Sequence, residues 1–128
     1  MSFPRRHFLK LVASAAVLPT TSREAFSFDY PTRAVRIVVG FPPGGFTDIT
    51  TRLVAAWLTE RLGQQFVVEN RSGASGNIAT EFVTRSTPDG YTLLQISDGN
   101  AYNATLYDNL NFNFIRDIAP VASVIRAP

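Results

Sequence analysis

The 128-residue chain has no cysteine, one histidine and one lysine. Without cysteine there is no disulfide framework, no thiolate metal site and no thiol nucleophile, although the absence leaves the redox compartment open. The lysine (Lys10) and the histidine (His7) both fall in the first ten residues, so from Phe28 onward the chain has neither. A phosphate-binding P-loop needs a Gly-Lys-Ser or Gly-Lys-Thr step, and a general base is most often histidine; both are missing there. Charge of either sign is also sparse, at 17% of residues against 45% hydrophobic, with ten Phe and one Trp. That balance can bury a core, and the length suits one domain.

Long apolar runs are missing too. The longest near the start, Leu11 to Leu18, is about half the roughly 20 residues that a bilayer-spanning helix needs. It follows the basic stretch Arg5-Arg6-His7-Phe8-Leu9-Lys10 and precedes small residues at Ala25 and Ser27. This is the order of an export signal, and the arginine pair followed by Phe-Leu-Lys resembles a twin-arginine signal. Residues 1–27 are therefore expected to be a signal peptide directing residues 28–128 to the periplasm. Its removal takes Arg5, Arg6, Lys10, Arg23 and Glu24, so twelve basic residues become eight and ten acidic become nine; the net charge moves from +2 to −1. The remaining arginines are scattered, which excludes a nucleic-acid surface.

From Phe28 two patterns alternate. Val35 to Val39 is a β-branched run of the kind buried in a parallel sheet. Ile49, Leu53, Ala56 and Trp57 recur at helical spacing, widened by Val54, Leu58 and Leu62, with Gly63 placed to end the helix. Phe66 to Val68 predicts a second strand, Ile78 to Arg85 a second helix, and Tyr91 to Ile96 a third strand after the turn at Pro88-Asp89-Gly90. A further strand is expected near Val121 to Ile125. Strand, helix, strand, helix, strand describes an α/β fold, a parallel sheet with flanking helices.

In such sheets ligands bind at the carboxyl ends of the strands. Three loops qualify: Phe41 to Thr47, Asn70 to Asn77, and Ser97 to Asn103. Gly44 and Gly45 lack β-carbons, and their N–H groups at a helix start would attract an anion without a cationic side chain. Pro42 and Pro43 stiffen the approach. The same Pro-Gly sequence also suits a plain tight turn. Asp48 can contact a ligand amine or hydroxyl, orient the loop, or simply suit the helix dipole. Phe41 can pack on ligand carbons or close the core. Ser97, Asn100 and Asn103 can donate to a carboxylate or cap the next short helix. An α/β enzyme acting on an organic acid is the competing class, but Ser97 has no evident base.

The stretch from Tyr30 to Val124 resembles the N-terminal part of the Bug-type solute receptors of tripartite tricarboxylate transporters. The matching residues are Tyr30-Pro31, Phe41-Pro42-Pro43-Gly44-Gly45 with Asp48, Leu62-Gly63-Gln64, Val68-Glu69-Asn70-Arg71, Gly73-Ala74 with Gly76-Asn77-Ile78, and Pro88-Asp89-Gly90-Tyr91-Thr92-Leu93. Asn103, Leu106-Tyr107 and Arg116-Asp117-Ile118-Ala119-Pro120-Val121 continue the match. The resemblance implies a type II-like, two-lobed periplasmic binding protein, monomeric, that closes on a small carboxylate and hands it to membrane permease subunits, with no cofactor, metal or catalysis. First-lobe ligand contacts would come from Phe41, Pro43, Gly44, Gly45 and Asp48, from Gly76, Asn77 and Ile78, and from Ser97, Asn100 and Asn103. Phe46, where the family usually has a small residue, and Asp98 depart from the pattern. Residues 28–128 would be an incomplete first lobe with most of the second lobe absent, so this chain alone is expected to bind weakly or not at all.

Overall fold

The structure of the chain, a computed structural model, describes residues 29–124. The expected signal, residues 1–27, lies outside the described residues. Within them strands and helices alternate: β1 (Val35–Val39), α1 (Phe46–Leu62), β2 (Phe66–Asn70), a 3-10 turn (Ala74–Gly76) leading into α2 (Asn77–Thr84), β3 (Thr92–Gln95) and α3 (Asp98–Leu106). The strands form one parallel sheet in the order β2-β1-β3. The fold class is α/β, as the alternating pattern predicts.

β1 is the middle strand, which explains its nearly continuous β-branched run: a strand covered on both faces has no solvent side. Val35 pairs with Phe66 and Ile37 with both Val68 and Leu93. On one face Val35, Ile37 and Phe66 pack with Ala55 of α1, joined by half-buried Leu58, Val68, Tyr91 and Leu93. α2 packs against β3 and β1, with Ala79 and Thr80 fully buried. Gly63, at φ +70°, ends α1 by donating its N–H to the Thr59 carbonyl at 3.0 Å. Glycine enters this left-handed conformation without a β-carbon penalty.

Two expectations are corrected. The apolar stripe of α1 does not face the sheet: Ile49 is 51%, Leu53 67% and Trp57 54% exposed, while Asp48, Thr51 and Ala55 are buried. Small residues let the helix axis approach the strands, and the hydrogen-bonded Asp48 turns that side inward. The expected strand near Val121 to Ile125 is also absent from its described part, since Val121–Val124 are exposed and belong to no strand. Alternating hydrophobicity makes a strand only where a neighbouring edge supplies hydrogen bonds, and the described sheet ends at β3.

The Tyr30-Pro31 and Pro88-to-Leu93 stretches meet at the opposite end of the sheet from the three loops. Tyr30 Oη donates to the Gly90 carbonyl at 2.6 Å, Thr32 N–H donates to Tyr91 Oη at 3.1 Å, and Arg33 pairs with Asp89 at 2.8 Å. They tie the entry of β1 to the turn before β3. Because β2 and β3 flank β1 on opposite sides, the chain reverses its direction of travel across the sheet at β1, and the carboxyl ends of β1 and β3 bound the crevice where such folds take ligands.

Candidate functional site

All three loops converge at that crevice, and glycine allows the closest approach. A methyl on Gly40, at the end of β1, would lie 2.7 Å from Gly76 Cα; a methyl on Gly76 would lie 2.9 Å from Asn100 Nδ2. The first loop thus touches the second, and the second touches the third. Phe41 is half-buried, its ring tip near Gly99, so it fills space between the first and third loops.

The β1–α1 loop is held from beneath. Pro42, Pro43, Gly44, Gly45 and Phe46 are exposed, and Gly44 takes φ +83°. Asp48, only 2% exposed, accepts the Gly44 N–H at 2.9 Å and Arg52 Nε at 2.9 Å on Oδ2, and Asn70 Nδ2 at 2.8 Å on Oδ1. The bond from Arg52, then those from Gly44 and Asn70, hold its carboxyl well below the usual carboxylate range. Of the roles open to Asp48, the geometry gives the orienting one. The Gly44 N–H is likewise committed to Asp48. α1 starts at Gly45 with no side-chain cap, and the first helical N–H groups have no intrahelical partners.

The glycine-rich loop is unusual in its backbone. Ala74 (φ 46°) and Ser75 (φ 54°) are left-handed without being glycine, and Gly76 follows at φ +89°. Each such alanine or serine costs roughly 1–2 kcal/mol, so something must hold the turn. Asn103 does: its Nδ2 donates to the Ser75 carbonyl at 2.8 Å and to Asn77 Oδ1 at 2.8 Å. Asn103 lies within α3 and is buried, so it is not the cap of that helix. α2 begins at Gly76, again without a side-chain cap. Asn77 is buried and Ile78 half-exposed, its Cδ1 folded towards Gly73.

The third loop is closed on itself. Ser97 is the N-cap of α3; its N–H donates to Asn100 Oδ1 at 2.9 Å and its hydroxyl contacts the same oxygen at 3.4 Å. Asn100 Nδ2 donates to Thr80 Oγ1 at 3.2 Å, and Gly99 N–H donates to Asp98 Oδ1 at 2.9 Å. Asn100 is therefore a buried link from α3 to α2. Among the described residues no base is hydrogen-bonded to the Ser97 hydroxyl, whose partner is Asn100 Oδ1.

The contrast between the helices is chemical. α1 starts from a glycine N-cap with no side-chain cap, a ready arrangement for an anion; α2 also has a glycine N-cap, but its Gly76 and Asn77 N–H groups donate to the Gly73 and Ala74 carbonyls, which leaves its open donors from Ile78 on, whereas α3 satisfies its own. Gly40, Asn70, Arg52 and Thr80 support the site and were not singled out in the sequence for any role there. A glycine directly after a buried strand was the available signal for Gly40, and an i,i+4 acid–base pair with Asp48 the one for Arg52; Asn70 and Thr80 depend on partners 18 to 29 residues away.

Residues 50–128 match the family model described as the tripartite tricarboxylate transporter family receptor, TctC. The chain belongs to this receptor family. It is 37% identical over 119 residues to protein BugT of Bordetella pertussis, covering 91% of this chain and 35% of BugT. It is also 37% identical over 121 residues to a protein of Agrobacterium vitis from the ttuE-ttuC' intergenic region, covering 94% of this chain and 34% of that one. The chain thus spans about a third of the length of these relatives. Among solved structures, MatC from Rhodopseudomonas palustris with bound malate is 34% identical with a TM-score of 0.63, covering 69% of this chain and 30% of MatC. R. palustris Rpa4515 with adipate is 43% identical with a TM-score of 0.60, covering 66% and 28%. The match to the TctC receptor family model begins at Thr50, beyond the Pro42–Gly45 loop, so the role of that loop in a TctC receptor rests on its own geometry.

Proposed function

We propose that residues 28–128 supply part of the first of two lobes of a periplasmic solute receptor, one wall of a cleft that takes a small di- or tricarboxylate. The observation that carries this reading is the pair of uncapped helix starts, Gly45 of α1 and Gly76 of α2, on loops that meet at the Gly40–Gly76 contact. Donors at these starts, bound to a carboxylate, are worth about 1.5–3 kcal/mol each. Two or three of them hold a small acid without lysine or arginine. Phe41 and Ile78 supply apolar surface beside them. The dicarboxylates bound by two similar proteins, malate and adipate, agree in class with this donor set.

In this reading the chain performs no chemistry and needs no metal or cofactor. It acts as a monomer, reaches the periplasm through the signal at residues 1–27 with its arginine pair Arg5-Arg6, and passes its ligand to membrane permease subunits. Affinity of this chain alone is expected to be weak, because pockets that bind well bury most of their ligand.

Two-dimensional amide NMR of the chain, titrated with malate, adipate and the neutral diamide of adipate, tests the reading. Saturable shifts at the Gly45–Thr47 and Ile78–Ala79 amides are expected with the acids and not with the diamide. Equal response to the diamide, silence at both helix starts, or turnover of either acid would overturn it.

A further inference from the structure

Asn70 ends β2, the strand on the far side of β1 from the crevice, yet it grips the crevice loop at two points. Its Nδ2 donates to the Phe41 carbonyl at 3.0 Å and to Asp48 Oδ1 at 2.8 Å, and its Oδ1 accepts Arg52 Nη2 at 3.0 Å. Both amide hydrogens and the oxygen are engaged. Asp48 in turn accepts the Gly44 N–H. One side chain thus anchors the loop where it leaves β1 and, through Asp48, just before it enters α1.

We propose that Asn70 is a positioning residue: by holding Phe41 and Asp48 together it fixes the course of the β1–α1 loop and aims the N–H groups at the start of α1 into the crevice. It touches no ligand itself. An amide is required because the two groups it faces, a carboxylate oxygen and a carbonyl oxygen, are both acceptors, while the guanidinium on its other side is a donor. Aspartate has the same shape and would keep the Arg52 contact. It would lose both donations and set two carboxylates against each other.

The hydrogen-bond pattern predicts its own rescue. In the single variant Asn70→Asp, Asp48 is repelled and the Gly44 N–H loses its anchor. In the double variant Asn70→Asp with Asp48→Asn, the net charge is unchanged and the polarity of the 48–70 bond is reversed. The new amide at position 48 donates to the new carboxylate, and its oxygen still accepts from Gly44. Only the Phe41 bond stays lost.

The aim of the donors matters for function only if the carboxylate reading holds, but the anchoring can be measured without ligand. Amide hydrogen exchange at Gly44, followed by NMR in the full chain, is expected to be about tenfold faster in Asn70→Asp, the size of one weakened hydrogen bond. It should return to within about threefold of wild type in the double variant. Val38 in the sheet serves as the control for folding and should be unchanged. Unaltered Gly44 exchange in the single variant, or exchange as fast in the double variant as in the single, would overturn the proposal. So would failure of both variants to fold, since that makes Asn70 a folding residue. If the single variant alone does not fold, protection of Gly44 in the double variant decides. Adipate added to the same samples separates the two claims: no shifts at either helix start in the wild type sinks the receptor reading, while the exchange result stands.

Discussion

Gly40 and Gly76 lie back to back, so close that a β-carbon on Gly40 would sit 2.7 Å from Gly76 Cα and 3.3 Å from its carbonyl oxygen. The obstacle is backbone, and behind Gly76 stands Asn100, itself bonded to Thr80. Nothing in that stack is the free end of a flexible side chain. Gly40→Ala should therefore destabilise the chain by about 1–3 kcal/mol, the range for overpacking a filled interior. Urea unfolding at constant m-value checks this; a loss under about 0.5 kcal/mol would mean that the first two loops do not touch.

Adjacent glycines in the first loop should respond in opposite ways. Gly44 is left-handed at φ +83°, so Gly44→Ala should cost about 1–2 kcal/mol although its methyl meets no atom. Gly45 is an N-cap in the extended region, φ −77° and ψ 167°, and a side chain there finds only ordinary contact with the Pro42 carbonyl. Serine would supply the missing cap, so Gly45→Ser should stabilise by about 0.3 kcal/mol, the small difference between glycine and serine at an N-cap. The same hydroxyl would occupy donors offered to the ligand and weaken any response of the Phe46 and Thr47 amides to adipate. Thermal unfolding and the titration, measured on both variants, give the two signs.

How much of this was legible in the sequence follows from the range of each interaction. β1 reads directly as Val35 to Val39 because burial of the middle strand leaves an apolar run broken only by the exposed Arg36. Gly63 reads as a helix end because its conformation is local. The three loops are found because the strands are found. What could not be read is where a side chain goes once the fold brings distant residues together. Asn70 meets Phe41 across 29 positions and Asn103 meets Ser75 across 28. Asn103 looked like a cap or a ligand donor; inside α3 it is a brace for a left-handed turn. Asp48 looked available to a ligand and is buried, holding three donors.

Acid should report on Asp48. Its carboxyl is held well below the usual carboxylate range, chiefly by Arg52. A depressed folded value means that the unfolded chain binds the proton first. The stabilisation is then fully present above the unfolded value of about 3.9 and is lost as pH falls through the folded one. Between pH 7 and about 4 the Asp48 contribution should stay flat, and below that it should decline. Urea unfolding across this range should give a steeper acid limb for the wild type than for Asp48→Asn. Arg52→Gln removes the largest cause of the depression, so its acid limb should begin at the same pH but fall by less and level off at higher pH than that of the wild type. Parallel limbs in all three proteins would show that Asp48 titrates normally.

Helical spacing locates a stripe on α1 but not the direction in which it points. Ile49, Leu53 and Trp57 lie on one such stripe, and Thr51, Ala55, Leu58 and Thr59 on another. By hydrophobicity alone the first should be buried. The structure buries the second, because α1 is fastened at both ends: Asp48 to Gly44 and Asn70 at its start, and Thr59 Oγ1 accepting the Phe66 N–H at 3.0 Å near its end. Both fastenings lie on the Ala55 side, and a small residue between them lets the helix sit close to Val35 and Ile37. Leu53→Gln should consequently change the stability of this chain by no more than about 0.5 kcal/mol. Ala55→Leu, at a position 3% exposed, adds three heavy atoms against the strands and should cost about 1–3 kcal/mol. Chemical denaturation of the two variants reads out the orientation of the helix, and the reverse ranking would place the Leu53 stripe on the sheet.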